Sequence, residues 1–192
     1  MKKRTASKIK KRTATMGAVG YDARVKIVVS EKGVRKRVRE LAKQINRDYA
    51  GKTLYVVGVL EECFVFMADL VRALKIPVVC SFVRSRVSDT ESGLVAMREI
   101  MYIPPVNLAG KDLLLVVGVL QSGITLDHLC RILLAQEPAS LRTAALLDKS
   151  DDRKVDIPVA YTGFRLSRRF MVGYGLGYQE QYRNLPFLAR IA

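Results

Sequence analysis

Apolar runs of strand length alternate along this chain with segments of helical period. TLYVVGVL (53–60), VVCSFV (78–83), LLLVVGVL (113–120) and LRTAALL (141–147) are predominantly apolar, with few polar interruptions. That is the pattern of strands covered on both faces, and it differs from the in-out alternation of half-buried ones. Between them, Val34, Val38, Leu41, Ala42, Ile45 and Tyr49 recur at helical spacing behind Ser30, a residue suited to open a helix. CFVFMADLVRAL (63–74) repeats that period. A third helix is expected from Thr125, its cap, to about residue 135, and a shorter strand at PVAYTGF (158–164). Residues 84–93 are charged and hydroxyl-rich and read as an exposed loop, with short apolar material at 100–103 before Pro104-Pro105.

Buried strands alternating with helices imply an α/β fold with a largely parallel sheet flanked by helices. The pentapeptide VVGVL occurs at 56–60 and again at 116–120. Nothing periodic surrounds the copies, so they read as two equivalent strands of one sheet. Ligands of such sheets sit beyond the carboxyl ends of the strands. This brings Glu61-Glu62 and Gln121-Ser122-Gly123 to one crevice. The second copy passes through a small-residue turn into a helix, so backbone N–H groups can face a phosphate there. No acid occurs between Asp112 and Asp127, which leaves that phosphate cradle without carboxylate partners from its own strand.

Charge adds a second feature. The formal net charge is +15, and seven of the first twelve residues are Lys or Arg, with no acid before Asp22. Residues 1–20 are expected to form a basic flexible tail ahead of a single domain at 21–192, because the segment has too few apolar groups to offset the entropy of ordering. Residues 1–14 could meet nucleic acid, serve only as a solubilising extension, or act as an organellar transit peptide. Lys32, Arg35, Lys36, Arg37, Arg39 and Lys43 form a basic outer face on the first helix. No apolar run approaches the roughly 18 residues of a membrane span, and no signal-peptide pattern is present. Cys63, Cys80 and Cys130 are scattered in apolar segments and read as reduced, mostly buried thiols of a cytoplasmic protein. The one histidine, His128, is expected on a helix surface or in the core, Asp127 beside the helix N-terminus, and Asp148 in strand-end hydrogen bonding.

The phrases RVRELAKQINRDYAGK, FVFMADLVRAL, SGITLDHL, PASLRTAALLDK, DRKVDIPV and FMVGYGLGYQEQYRNLP together resemble the hypoxanthine-guanine phosphoribosyltransferases, from about residue 25 to the C-terminus. The resemblance implies the type I phosphoribosyltransferase fold with a small hood subdomain. It also implies a homodimer or tetramer, and transfer of ribose phosphate from phosphoribosyl pyrophosphate to guanine or hypoxanthine with magnesium. It assigns Ser122, Gly123, Ile124 and Thr125 to the 5′-phosphate, Lys149 to the purine's exocyclic oxygen, Phe170 to stacking on the base, and Arg183 to the pyrophosphate side.

It also implies departures. Val117 and Gly118 stand where the family has a Glu-Asp pair for the ribose hydroxyls. Gln121 stands at the proposed general base, and an amide cannot accept a proton at neutral pH. Gly177 stands at a magnesium-binding aspartate. Glu61-Glu62-Cys63 replaces the small pyrophosphate loop with charges that would repel pyrophosphate, and the lid reads SRVSDTESG without a tyrosine. Losing a general base costs roughly 10²–10⁴ in rate, and losing an electrostatic element about 10²–10³ more.

The leading expectation is therefore a catalytically silent or strongly impaired protein that binds a purine nucleotide resembling GMP or IMP, or a phosphate. The alternatives are an active purine salvage transferase, with magnesium and with Glu61 and Glu62 as substitute carboxylates, and an RNA-binding or ribosome-associated protein that uses its tail.

Overall fold

The computed structural model describes residues 25–88, 97–103, 107–166 and 170–191. The tail, the tip of the lid at 89–96 and any tail contact with nucleic acid lie outside the described residues. In chain order the elements are β1 (Val25–Val29), α1 (Glu31–Asp48), β2 (Leu54–Leu60), α2 (Phe64–Ala73), β3 (Val78–Ser88), β4 (Met97–Ile103), β5 (Asp112–Leu120), α3 (Ile124–Leu134), β6 (Ser140–Asp148), β7 (Tyr161–Arg165) and β8 (Leu188–Ile191), with one 3₁₀ turn at Ser150–Asp152.

The main sheet has strand order β4-β3-β2-β5-β6-β7. Its strands are parallel except for the β3–β4 pair. Continuous apolar strands pack on both faces. On one face Leu54, Val56, Leu114, Val116 and Ala144 meet Val34, Val38, Leu41 and Ile45 of α1 and Phe66, Met67 and Leu70 of α2. On the other, Val57, Leu113, Leu115, Val117 and Ala145 meet Leu126, Leu129 and Leu133 of α3. The two VVGVL strands are neighbours, with Gly58 level with Val116. A third, smaller core of Val172, Tyr182, Leu185 and Ala189 lies beside the antiparallel β1–β8 pair. This is the hood, and its two strands come from opposite ends of the chain.

Several expectations are corrected. Residues 84–88 continue β3 and pair with β4, because the antiparallel partner at 97–103 satisfies their backbone groups. Helix α3 opens at Ile124 with Gly123 as its cap, φ 84°. Thr125 falls inside the first turn, since the chain reverses through a left-handed conformation that glycine adopts without steric cost. Ser30 does cap α1, its hydroxyl accepting from Gly33 N–H at 3.2 Å. Arg37 leaves the basic outer face and donates to the carbonyls of Gly163 (2.9 Å) and Thr162 (2.7 Å), clamping β7. The cysteines are free, but only Cys63 is buried and Cys80 is exposed on β3.

Candidate functional site

Because β2 and β5 are adjacent and parallel, the segments that follow them share one edge of the sheet. The turn after β5 is fixed from below. The Ser122 carbonyl accepts from Lys154 N–H (2.9 Å) and Val155 N–H (3.1 Å), and Asp127 N–H donates to the Gly123 carbonyl at 2.8 Å. A Cβ at Gly123 would lie 2.7 Å from the Val155 carbonyl oxygen, so the turn needs glycine for space as well as for its φ. The opening N–H groups of a helix have no acceptor within it, and here they border a cavity of about 370 Å³ lined in part by Glu62, Val117, Gly118, Gln121, Ser122 and Thr125. Asp127 forms an ion pair with Arg131 at 2.9 Å on the outside of α3, and His128 is exposed there.

A second cavity, of about 170 Å³, adjoins the first and is lined by Glu62, Val119, Gln121, Lys149, Phe170, Met171, Leu176 and Gly177. Lys149 follows β6, its backbone N–H donating to the Leu120 carbonyl at 2.9 Å, and only 7% of it is exposed. It is therefore a buried lysine at a cavity wall. Phe170 is 53% exposed and packs edge-on against Tyr178, with ring centres 5.4 Å apart. Asp148 is buried and pairs with Arg153 at 2.5 Å, as strand-end bonding requires.

Glu61 and Glu62 reach one crevice, as their place after β2 requires, but they take different roles there. Glu61 pairs with Arg84 and lies 3.6 Å from Arg183. Of the two charges expected to repel pyrophosphate, that of Glu61 is offset by these two guanidiniums. Arg183 also donates to the Gly175 carbonyl at 3.0 Å and lies over Gly177, where a Cβ would be 2.8 Å from its Cζ. Glu62 borders both cavities. It is open to solvent through the cleft, yet the cleft walls shed enough water to raise its carboxyl above the usual value, against the pull of Arg183 and Lys149. Two residues of the site carry no signal in the sequence. Arg84 lies in a stretch whose composition reads as loop, and Asp152, which accepts from the Gln121 amide at 3.2 Å, comes from a turn more than thirty positions further along the chain.

The implied magnesium finds no protein ligand set here. Glu61 is occupied by arginines, Glu62 is a single carboxylate, and among the described residues no group of three His, Cys, Asp or Glu could hold a metal ion. No helix among them is long and apolar enough to cross a membrane.

Residues 24–179 match the phosphoribosyl transferase domain family. The chain is 39% identical to a hypoxanthine-guanine phosphoribosyltransferase of Dictyostelium discoideum, over 86% of this chain and 94% of that protein. It is 36% identical to a hypoxanthine phosphoribosyltransferase of Salmonella typhimurium, over 87% and 95%. The crystal structure of a hypoxanthine-guanine phosphoribosyltransferase from Bacillus anthracis superposes with a TM-score of 0.81 at 36% identity, covering 86% of this chain and 98% of that one. These comparisons overturn the expectation of a catalytically silent or strongly impaired protein that acts through binding or regulation. The relatives that match over most of the chain are named as transferases, and they support the alternative of a purine salvage enzyme.

Proposed function

Because the chain belongs to the hypoxanthine-guanine phosphoribosyltransferase family, we propose that it transfers 5-phosphoribosyl from phosphoribosyl pyrophosphate to hypoxanthine or guanine, forming IMP or GMP and releasing pyrophosphate. One observation carries the reading: the phosphate turn and the Lys149–Phe170 wall border adjoining cavities that share Glu62, Val119 and Gln121. A nucleotide needs that layout, with phosphate at one end, base at the other and the reacting carbon between.

In this reading Ser122, Gly123, Ile124 and Thr125 hold the 5′-phosphate on the opening turn of α3. Lys149 donates to the 6-oxo group, and its burial strengthens that bond relative to water. Phe170 covers one face of the purine, and Arg183 lies on the pyrophosphate side. Val117 and Gly118 bring no carboxylate to the ribose region from β5, so the sugar is positioned chiefly through its two ends. Magnesium, where it takes part, enters as the phosphoribosyl pyrophosphate complex and belongs to the substrate. A homodimer or tetramer is part of the same proposal.

The test is to incubate the purified protein with guanine or hypoxanthine, phosphoribosyl pyrophosphate and magnesium, and to follow GMP or IMP by mass spectrometry. Product above a protein-free control is expected. Lys149→Met should raise KM for the base about tenfold or more, since a hydrogen bond to a charged group contributes roughly 1.5–3 kcal/mol. No product from folded protein would overturn the reading.

A further inference from the structure

Forming the glycosidic bond requires a proton to leave the purine ring, and the residues bordering both cavities are where that proton would be taken. Of the three, Val119 is apolar and Gln121 is an amide whose side chain is committed to Asp152. Glu62 is the one with a carboxylate. Among the described residues it has no hydrogen-bond or close ion-pair partner, so its oxygens are open to a ligand. Two glycines make room for it: a Cβ at Gly118 would lie 2.6 Å from Glu62 Cβ and 2.7 Å from its carbonyl oxygen, and a Cβ at Gly175 would lie 2.7 Å from that same oxygen. The close approach of residue 62 thus excludes any side chain from position 118 on β5 and supplies a carboxylate from the loop after β2.

Building on the proposed function, we propose that Glu62 is the proton acceptor for the purine's five-membered ring. As N9 attacks the sugar C1′, the C1′–O bond to pyrophosphate breaks, its electron pair leaves on pyrophosphate, and the proton on N7 passes to the Glu62 carboxylate and then to solvent. Its surroundings suit an acceptor. Partial desolvation by the cleft walls raises the carboxyl, Lys149 after β6 and Arg183 from the hood oppose that rise, and neighbouring Glu61 is offset by Arg84 and Arg183. A carboxylate raised toward neutrality accepts and passes on protons more effectively than one at its ordinary value.

Glu62→Gln keeps the shape and removes the basicity. Two ligands separate its effects: a 9-deazapurine, whose five-membered ring carries its N–H at position 7, and IMP, whose N7 carries only a lone pair. Calorimetric titration should show Glu62→Gln binding the 9-deazapurine about tenfold more weakly, and IMP no more weakly or more tightly, because an amide can donate to N7. Equal weakening of both ligands, as a structural role would give, or no change in either, would overturn the proposal. In turnover, the variant should lose about a hundredfold or more in kcat with KM for phosphoribosyl pyrophosphate within about threefold, and unchanged kcat would also overturn it. Absence of product from the wild-type protein would strike the proposed function alone, and the two titrations would still decide the role of Glu62.

Discussion

Replacing Gly118 by Ala sets local preference against tertiary packing with opposite signs. Inside a strand, alanine is normally favoured over glycine by roughly 0.5–1 kcal/mol, because glycine loses more chain entropy on folding. In this fold the added Cβ would meet Glu62 Cβ at 2.6 Å, its carbonyl oxygen at 2.7 Å and its carbonyl carbon at 2.8 Å. Two of those atoms are backbone and cannot be moved by changing a rotamer. Overpacking of this kind costs about 1–3 kcal/mol. The net expectation is a loss of about 1–2 kcal/mol, or a fall in Tm of roughly 2–8 °C for a chain of this size. Urea unfolding at 25 °C followed by circular dichroism measures it. The same displacement moves Glu62 within the cleft, so transferase rate should fall in parallel. Gly58→Ala, at the matching position of the other VVGVL strand, meets the side chains of Met67, Cys63 and Phe82, which can yield, and should cost less. A Gly118→Ala protein with an unchanged or higher urea midpoint would refute the packing argument.

Arg37→Ala should lose about 1.5–3 kcal/mol, because the carbonyls of Gly163 and Thr162 lose a charged donor. Lys at this position should recover only part, since it lacks the forked geometry, while Lys43→Ala on the same helix should stay within about 0.5 kcal/mol; equal effects in urea unfolding would remove the clamp from the account. Acid should destabilise the fold through two carboxylates. The Tyr161 hydroxyl, with Arg142 and Arg47, holds Asp48 below its usual range, and the Ser140 hydroxyl, with Lys52, does so for Asp112. A lowered folded value means that this stability is complete above about pH 4 and is lost as pH falls through the lower folded values. The double variant Asp48→Asn, Asp112→Asn should therefore show a smaller drop in urea midpoint between pH 6 and pH 3 than the wild type, and an equal drop would exclude these groups as the source.

The alternation of covered strands and helices, the buried face of α1 from Val34 to Ile45, the kinship of the two VVGVL strands and the position of the small-residue turn after β5 are all legible in the residues alone. Each is written in local periodicity or in small residues at a strand end, and such signals need no knowledge of distant contacts. The resemblance to a transferase family is legible for the same reason, in phrases spread along the chain. Other features depend on partners far apart in sequence, and folding alone brings those together. β1 forms only because β8, at the other end of the chain, pairs with it. The end of β3 forms because β4 returns antiparallel to it. Arg37 turns inward because two carbonyls of β7 lie within its reach. The separation of Glu61 from Glu62 is the clearest case. Adjacent in sequence and alike in chemistry, one is drawn to Arg84 and Arg183 and the other is left facing the junction of two cavities. Only the packing of β2 against β5 and the hood distinguishes them.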